Sequence, residues 1–258
     1  MSITSTVLRF AAPIPHIEDF ERYLFIGPHP DDIEIGAGAT AAKLAAEGKK
    51  VTFLICLDGR YGLDFAPEGT TPEELIKIRK AEAIASAKIL GVEDVRFLGL
   101  CDGGFYDTDE LLTGIARVIG DTGAQMIFAP DPDVKSECHI DHKRVGEAAK
   151  RLAFFAPFKE IMARYGANAA PAEAIAFYMT ASANRFVKTQ GLLKLQLEAL
   201  FKCHQSQFPE GSSEAKTLAL YLKLRSADFG ARVLCKGAEG FRVLGKTHMH
   251  CLPEAGRR

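Results

Sequence analysis

The sequence predicts an α/β protein built on a doubly wound, mostly parallel sheet with helices on both faces. Two observations carry this. Short, continuous apolar runs alternate with longer amphipathic segments through the first half of the chain, the pattern of strands buried on both faces and joined by crossover helices. The first two helical segments also end on a glycine, Gly48 and Gly91.

Residues 23–27 (YLFIG) and 51–57 (VTFLICL) are the first two strands, and the Ala-rich segment 34–48 between them is a helix that Gly48 terminates. Thr71, Pro72 and Glu74 then supply an N-cap, a proline at the first helical position and the acid of a capping box. Apolar residues follow at helical spacing up to Leu90, where Gly91 stops the helix. Residues 95–100 form a third strand, 111–119 a third helix, and 125–130 (QMIFAP) a fourth strand closed by Pro130. Beyond it lie a helix near 143–155, a Pro/Ala-rich stretch to 174, an apolar run 174–179, and helices near 191–203 and 213–225. With neither an internal repeat nor a composition shift, residues 1–258 read as a single domain, its C-terminal third wrapped on the first part.

Composition excludes several classes. The chain is 47% hydrophobic and 25% charged, with 32 basic and 33 acidic residues. A near-zero balance without runs of one sign leaves no footprint for nucleic acid or an anionic membrane. The N-terminus reads as neither a signal peptide nor an anchor, and the expected location is the cytoplasm. The six cysteines are scattered without a Cys-x-x-Cys, which suits reduced thiols and excludes a thiolate zinc knuckle. A chain of this length folds without metal, so any metal it holds serves function.

Ligands in a doubly wound sheet sit beyond the carboxyl ends of the strands, where strand order reverses. Strand one runs into His29-Pro30-Asp31-Asp32, and strand four leads to His139-Ile140-Asp141-His142. If the strand order is 3-2-1-4-5, these clusters converge. His29, Asp32 and His142 then form a two-imidazole, one-carboxylate set that suits catalytic zinc and equally non-haem iron. Asp31, whose side chain diverges from that of Asp32, becomes a general base for water. His139 can stabilise an oxyanion or protonate a leaving amine, with Asp141 or another carboxylate orienting it. Alone, Asp-Asp before a helix is ordinarily an N-cap and His-x-x-His ordinarily a coincidence. Convergence of the two clusters is what argues for function.

Other features carry less. Cys138 beside His139 suggests a cysteine hydrolase only weakly, because adjacent side chains point apart. His248-x-His250-Cys251 alternates like an edge strand. Gly36-x-Gly38 opens a helix as a dinucleotide loop does, but Ala41 holds the last glycine position and carboxylates fill the phosphate site.

With these residues in view, the chain resembles the PIG-L/LmbE family of metal-dependent N-deacetylases. The likeness rests on His29-Pro30-Asp31-Asp32 with Glu34-Ile35-Gly36-x-Gly38-x-Thr40, and on His139-x-Asp141-His142 after Phe128-Ala129-Pro130. It extends to Asp58-Gly59-x-x-Gly62, Arg79-x-x-Glu82, Asp102-Gly103, Lys194, His204-x-Ser206-Gln207 and Glu239-x-Phe241. Ile33 and Ile140 depart from the residues many members have there. The resemblance implies a Rossmann-like fold and deacetylation of an N-acetylglucosamine-type sugar or glucosaminyl conjugate. It implies His29, Asp32 and His142 as ligands of Zn2+, with Fe2+ or another divalent ion as alternatives, Asp31 as base and His139 as oxyanion partner or acid. It also implies Arg79 and Asp102 as substrate-facing, although Arg79 alone could be a helix-surface ion pair with Glu82. The expected partner is a small amino-sugar substrate, with no nucleic acid and no membrane, and a homo-oligomer is compatible. Rival readings are a metal-dependent amidase of a thiol conjugate, an iron enzyme using the same three ligands, and a catalytically silent sugar-binding protein.

Overall fold

The computed structural model describes Val7 and residues 10–250. Residues 1–6, 8 and 9, on which the reading of the N-terminus partly rests, and 251–258, which include Cys251, lie outside the described residues. The strands are β1 (Arg22–Gly27), β2 (Lys50–Leu57), β3 (Asp94–Leu100), β4 (Met126–Pro130), β5 (Ala174–Tyr178), β6 (Arg185–Lys188) and β7 (Ala238–Gly245). The helices are α1 (Asp32–Ala46), α2 (Pro72–Ile89), α3 (Thr108–Thr122), α4 (Ile140–Phe155), α5 (Lys159–Arg164), α6 (Leu193–Cys203) and α7 (Ser213–Arg232).

The strands form one seven-stranded sheet in the order β3-β2-β1-β4-β5-β7-β6. Strands β1 to β5 pair in parallel, and β7 runs antiparallel to both β5 and β6. The expected 3-2-1-4-5 order is present, with its switch point between β1 and β4. Alternate residues of each central strand divide between two cores. Leu24, Ile26, Ile127 and Phe177 pack with α3 and α4 on one face. Tyr23, Phe25, Phe128 and Tyr178 pack with α1 and α2 on the other. On this second face Phe25 and Phe128 stack with centroids 4.1 Å apart, and Phe241 of β7 meets Phe128 edge-on at 5.2 Å.

The capping box expected of α2 is present: Thr71 Oγ1 accepts from Glu74 N–H at 3.2 Å, and Glu74 Oε2 accepts from Thr71 N–H at 3.0 Å. The edge strand expected around His248 is absent among the described residues, where 246–249 form a turn after β7. His248 instead accepts Gly245 N–H at Nδ1 (3.3 Å) and meets Ala12 O through Nε2 (3.0 Å).

Helix α1 is broken at Ala37, whose φ of −153° and ψ of 15° are not helical. The break frees the amides of Ala39 and Thr40, which donate to Glu239 of β7 at 3.2 and 2.7 Å. Gln196 of α6 completes the clasp by donating to both Glu34 O (2.7 Å) and Glu239 Oε1 (2.9 Å). Burial pushes the Glu239 carboxyl up to about 7 against the pull of Thr40, Ala39 and Gln196. The Gly36-x-Gly38 pair thus belongs to helix packing. A Cβ on Gly36 would stand 2.2 Å from the Tyr178 ring, and one on Gly38 3.0 Å from Gln196. Tyr178 is fully buried and its hydroxyl donates to Ile26 O at 2.8 Å, so it has no room to retreat. Gly36→Ala is expected to cost about 1–3 kcal/mol by overpacking and to lower Tm by roughly 2–4 °C per kcal/mol. An unchanged thermal melt would contradict this.

Candidate metal centre

The loops after β1 and β4 meet at the switch point. His29, Asp32 and His142 each bring one ligand atom to within 4.8 Å of the others. His29 Nδ1 lies 3.1 Å from Asp32 Oδ2, and His142 Nε2 lies 3.3 Å from Asp32 Oδ1. The His29 amide also donates to Asp32 Oδ2 at 2.9 Å, which fixes the turn into α1.

The far nitrogen of each imidazole decides what the near one presents. His29 Nε2 is 3.1 Å from Asp141 Oδ2, and His142 Nδ1 is 3.3 Å from Glu137 Oε2. The Asp141 carboxylate can take the His29 Nε2 proton, whereas Glu137 stands beside His142 Nδ1 as a charge without a hydrogen bond to it. Two imidazole nitrogens and a carboxylate converging within 4.8 Å of one another fit a divalent ion, which would take the place of the proton shared between each near nitrogen and Asp32. A second grouping, His29 with His139 and Asp141, also has the spacing of a ligand set. Its carboxylate is already engaged, because the fully buried Asp141 accepts from Gly103 N–H (2.7 Å) and Gly104 N–H (2.8 Å) besides His29.

Asp31 is the N-cap position of α1, with φ at 119°, a left-handed conformation unusual for a residue with a side chain. Its carboxylate turns away from the helix and accepts from Arg79 Nη2 at 3.0 Å, so the ordinary N-cap reading does not describe it. Burial pushes the Asp31 carboxyl up to about 6, against the pull of Arg79. Asp32 is equally enclosed, yet the His142 and His29 imidazoles hold its carboxyl well below the usual range.

Arg79 is buried and pairs with Asp31, not Glu82. Its guanidinium also donates to Pro30 O (2.8 Å) and Gly59 O (3.2 Å), stitching together the turns after β1 and β2. That contact accounts for the Asp58-Gly59-x-x-Gly62 pattern: Gly59 has φ +72°, and a Cβ there would stand 2.5 Å from Arg79 Nη1. Glu82 instead accepts from the amide and hydroxyl of Ser206 at 2.8 and 2.6 Å. Next to Ser206, Gln207 donates to Gly62 O at 3.0 Å, and His204 Nε2 lies 3.3 Å from Glu34 Oε1. The His204-x-Ser206-Gln207 segment is therefore a strap across α1, α2 and the β2 turn.

His139 is half-exposed at the N-terminus of α4, its ring stacked on His142 at 5.0 Å. Its Nδ1 accepts from the Asp141 backbone N–H at 3.4 Å, while the Asp141 carboxylate stands 3.9 Å away. Asp141 thus orients His139 through its amide and His29 through its side chain, a division sequence alone did not indicate. Burial and the neighbouring His29 and His142 lower the pKa of His139, so the neutral ring carries its proton on Nε2.

Asp102 is buried, with Oδ2 accepting from Tyr61 N–H at 3.3 Å and Oδ1 without a hydrogen-bond partner among the described residues. Burial raises its pKa. His29, Asp31, Tyr61, Gly62, Arg79, Asp102, His139 and Gln207 border one cavity of about 280 Å³ above the ligands. Sequence reasoning missed Glu137, whose carboxylate stands 3.3 Å from His142 Nδ1 and accepts from His139 N–H at 2.7 Å. Only its nearness to a candidate ligand could have drawn attention to it. Cys138 is exposed with its thiol directed to Ser136 O at 3.6 Å.

The PIG-L family model, described as GlcNAc-PI de-N-acetylase, matches residues 24–153, which contain all eight expected site residues. The chain belongs to the PIG-L family. Among relatives, this PIG-L protein is 31% identical over 245 residues to diacetylchitobiose deacetylase of Thermococcus kodakarensis, covering 92% of this chain and 88% of the relative. It is 30% identical over 174 residues to the 1D-myo-inositol 2-acetamido-2-deoxy-alpha-D-glucopyranoside deacetylase of Kineococcus radiotolerans, covering 56% of this chain and 48% of that one. Among solved structures, the N,N'-diacetylchitobiose deacetylase of Pyrococcus horikoshii superposes with a TM-score of 0.87 at 28% identity, covering 100% of this chain and 98% of that chain. The PIG-L fold thus extends past the matched segment to the antiparallel strands β6 and β7. Among the described residues, no helix is long and apolar enough to cross a membrane.

Proposed function

We propose that this protein is a zinc-dependent deacetylase that hydrolyses the acetamide of an N-acetylated amino sugar or glucosaminyl conjugate. The observation that carries the reading is the His29, Asp32 and His142 set beside Asp31, a buried carboxylate left outside the ligand group. The deacetylase names of its relatives support the same reaction.

His29, Asp32 and His142 would hold the ion, and their donor set suits zinc while admitting Fe2+. An ion bound there supplies Lewis-acid polarisation of the acetamide carbonyl and makes water acidic enough to react near neutral pH. Asp31 takes the proton from the attacking water. Arg79 engages Asp31 Oδ2 and leaves Oδ1 for that proton, so Arg79 is a positioning residue at the cavity wall. His139 donates a hydrogen bond from Nε2–H to the oxygen that gains charge, and the proton taken up by Asp31 passes to the departing amine, leaving Asp31 ionised again. Asp102 Oδ1 is an acceptor placed for a sugar hydroxyl. Acetate and the free amine are the products.

The test is acetate release by the metal-loaded protein across N-acetylglucosamine and glucosaminyl conjugates. Release from any amino sugar supports the reading; none, with the ion bound and the sugar binding, leaves a silent sugar-binding protein. In the same assay Arg79→Ala is expected to lower kcat/KM tenfold or more, about 1.4 kcal/mol for one lost charged contact. The loss should fall on kcat more than on KM. Arg79→Lys should recover little of it, because one ammonium cannot span Asp31, Pro30 and Gly59 as the planar fork does. Equal activity in wild type and Arg79→Ala would remove Arg79 from this role.

A further inference from the structure

Two large aromatic side chains stand in water beside the cavity: Tyr61 borders it, and Phe105 packs on Tyr61 over Gly103, which also borders it. Tyr61 is 55% exposed and Phe105 73% exposed, and their rings meet edge-to-face with centroids 5.9 Å apart. Both are mounted on the catalytic group. The Tyr61 amide donates to Asp102, and Phe105 follows Gly103 and Gly104, whose amides are held by Asp141. Arg144 further pins this loop by donating to Gly104 O at 2.9 Å. Gly103, with φ +72°, lies beneath both rings: a Cβ there would come within 3.2 Å of Phe105 and 3.4 Å of Tyr61. Ile140, 42% exposed, lies over Gly104 and adds apolar surface beside them.

Both residues keep more than half of their surface exposed, which leaves apolar area for an occupant of the cavity to cover. At about 280 Å³, the cavity lies at the lower end of small-molecule sites. It suits one acetamido sugar, and a group joined to that sugar on the Tyr61 and Gly103 side of the cavity would meet Tyr61 and Phe105. A pyranose ring matches this surface, with an apolar C–H face for the rings and a rim of hydroxyls for water.

We propose that Tyr61 and Phe105 form a platform for the second sugar ring, making the substrate an N-acetylated glycan of at least two sugars. This rests on the deacetylase reading above. Phe105 is then a specificity-determining residue outside the reacting centre.

The experiment compares kcat/KM for N-acetylglucosamine and for its disaccharide in wild type, Phe105→Ala and Phe105→Tyr. The disaccharide-to-monosaccharide ratio is expected to exceed unity in wild type and to fall about tenfold in Phe105→Ala, of the order of one aromatic contact. Phe105→Tyr should restore it. A ratio unchanged by Phe105→Ala overturns the platform. If wild type releases acetate from neither sugar, the deacetylase reading is what fails, and calorimetric titration of both sugars into wild type and Phe105→Ala decides the platform. Weaker disaccharide binding in the variant alone supports it, and identical affinities overturn it.

Discussion

Asp31→Asn retains its metal and loses about two to four orders of magnitude in kcat, the scale of a lost general base. Asparagine keeps the size of the side chain and can still accept from Arg79 through its amide oxygen, but it cannot take a proton from water. The ligand atoms are undisturbed, because Asp31 lies outside the ligand group and its carboxylate is held by Arg79 Nη2 at 3.0 Å. Left-handed backbone such as that at Asp31 costs on the order of 1–3 kcal/mol and persists only where surrounding contacts enforce it; here Arg79 grips both Pro30 O and the Asp31 carboxylate. Metal content and turnover are measured on the same preparation, alongside Asp32→Asn. Equal loss of metal from the two variants would mean that the base and ligand roles are wrongly divided.

His142→Ala loses most of its metal and, with it, essentially all acetate release. Wild type should carry about one divalent ion per chain by elemental analysis, whereas His29 and Asp32 alone supply too few donors to hold zinc against dialysis. The carboxylate behind this imidazole gives a graded companion. Glu137→Gln leaves all three ligands in place and removes the charge beside His142 Nδ1, a change worth roughly 10–100-fold in metal affinity. Full metal occupancy in His142→Ala would exclude the proposed ligand set.

What the sequence revealed and what it hid have physical reasons. Strands β1, β2 and β4 are buried on both faces and so are continuously apolar, and α2 announces itself through Thr71 and Glu74. His29, Asp32, His139 and His142 were legible because each cluster lies within four positions at the start of the helix that follows a parallel strand. Strand β7 is buried along its whole length yet contains Glu239 and Arg242. Those charges are satisfied by α1 amides and by Asp131 and Asp133, partners a local reading does not connect. Arg79 was ambiguous for the same reason. Its three acceptors lie 20, 48 and 49 residues away along the chain, two of them backbone carbonyls, while Glu82, the neighbour a helical spacing suggests, belongs to Ser206.

The clasp on broken α1 ties an early helix to the last strand. The helix that begins with Asp32 has its Ala39 and Thr40 amides answered by Glu239, 200 and 199 residues further along the chain. Buried amides without acceptors are costly, so this helix is fully satisfied only in a chain that carries β7. The segment that presents Asp32 to the candidate ion is thereby coupled to β7, although no residue of that strand belongs to the ligand set.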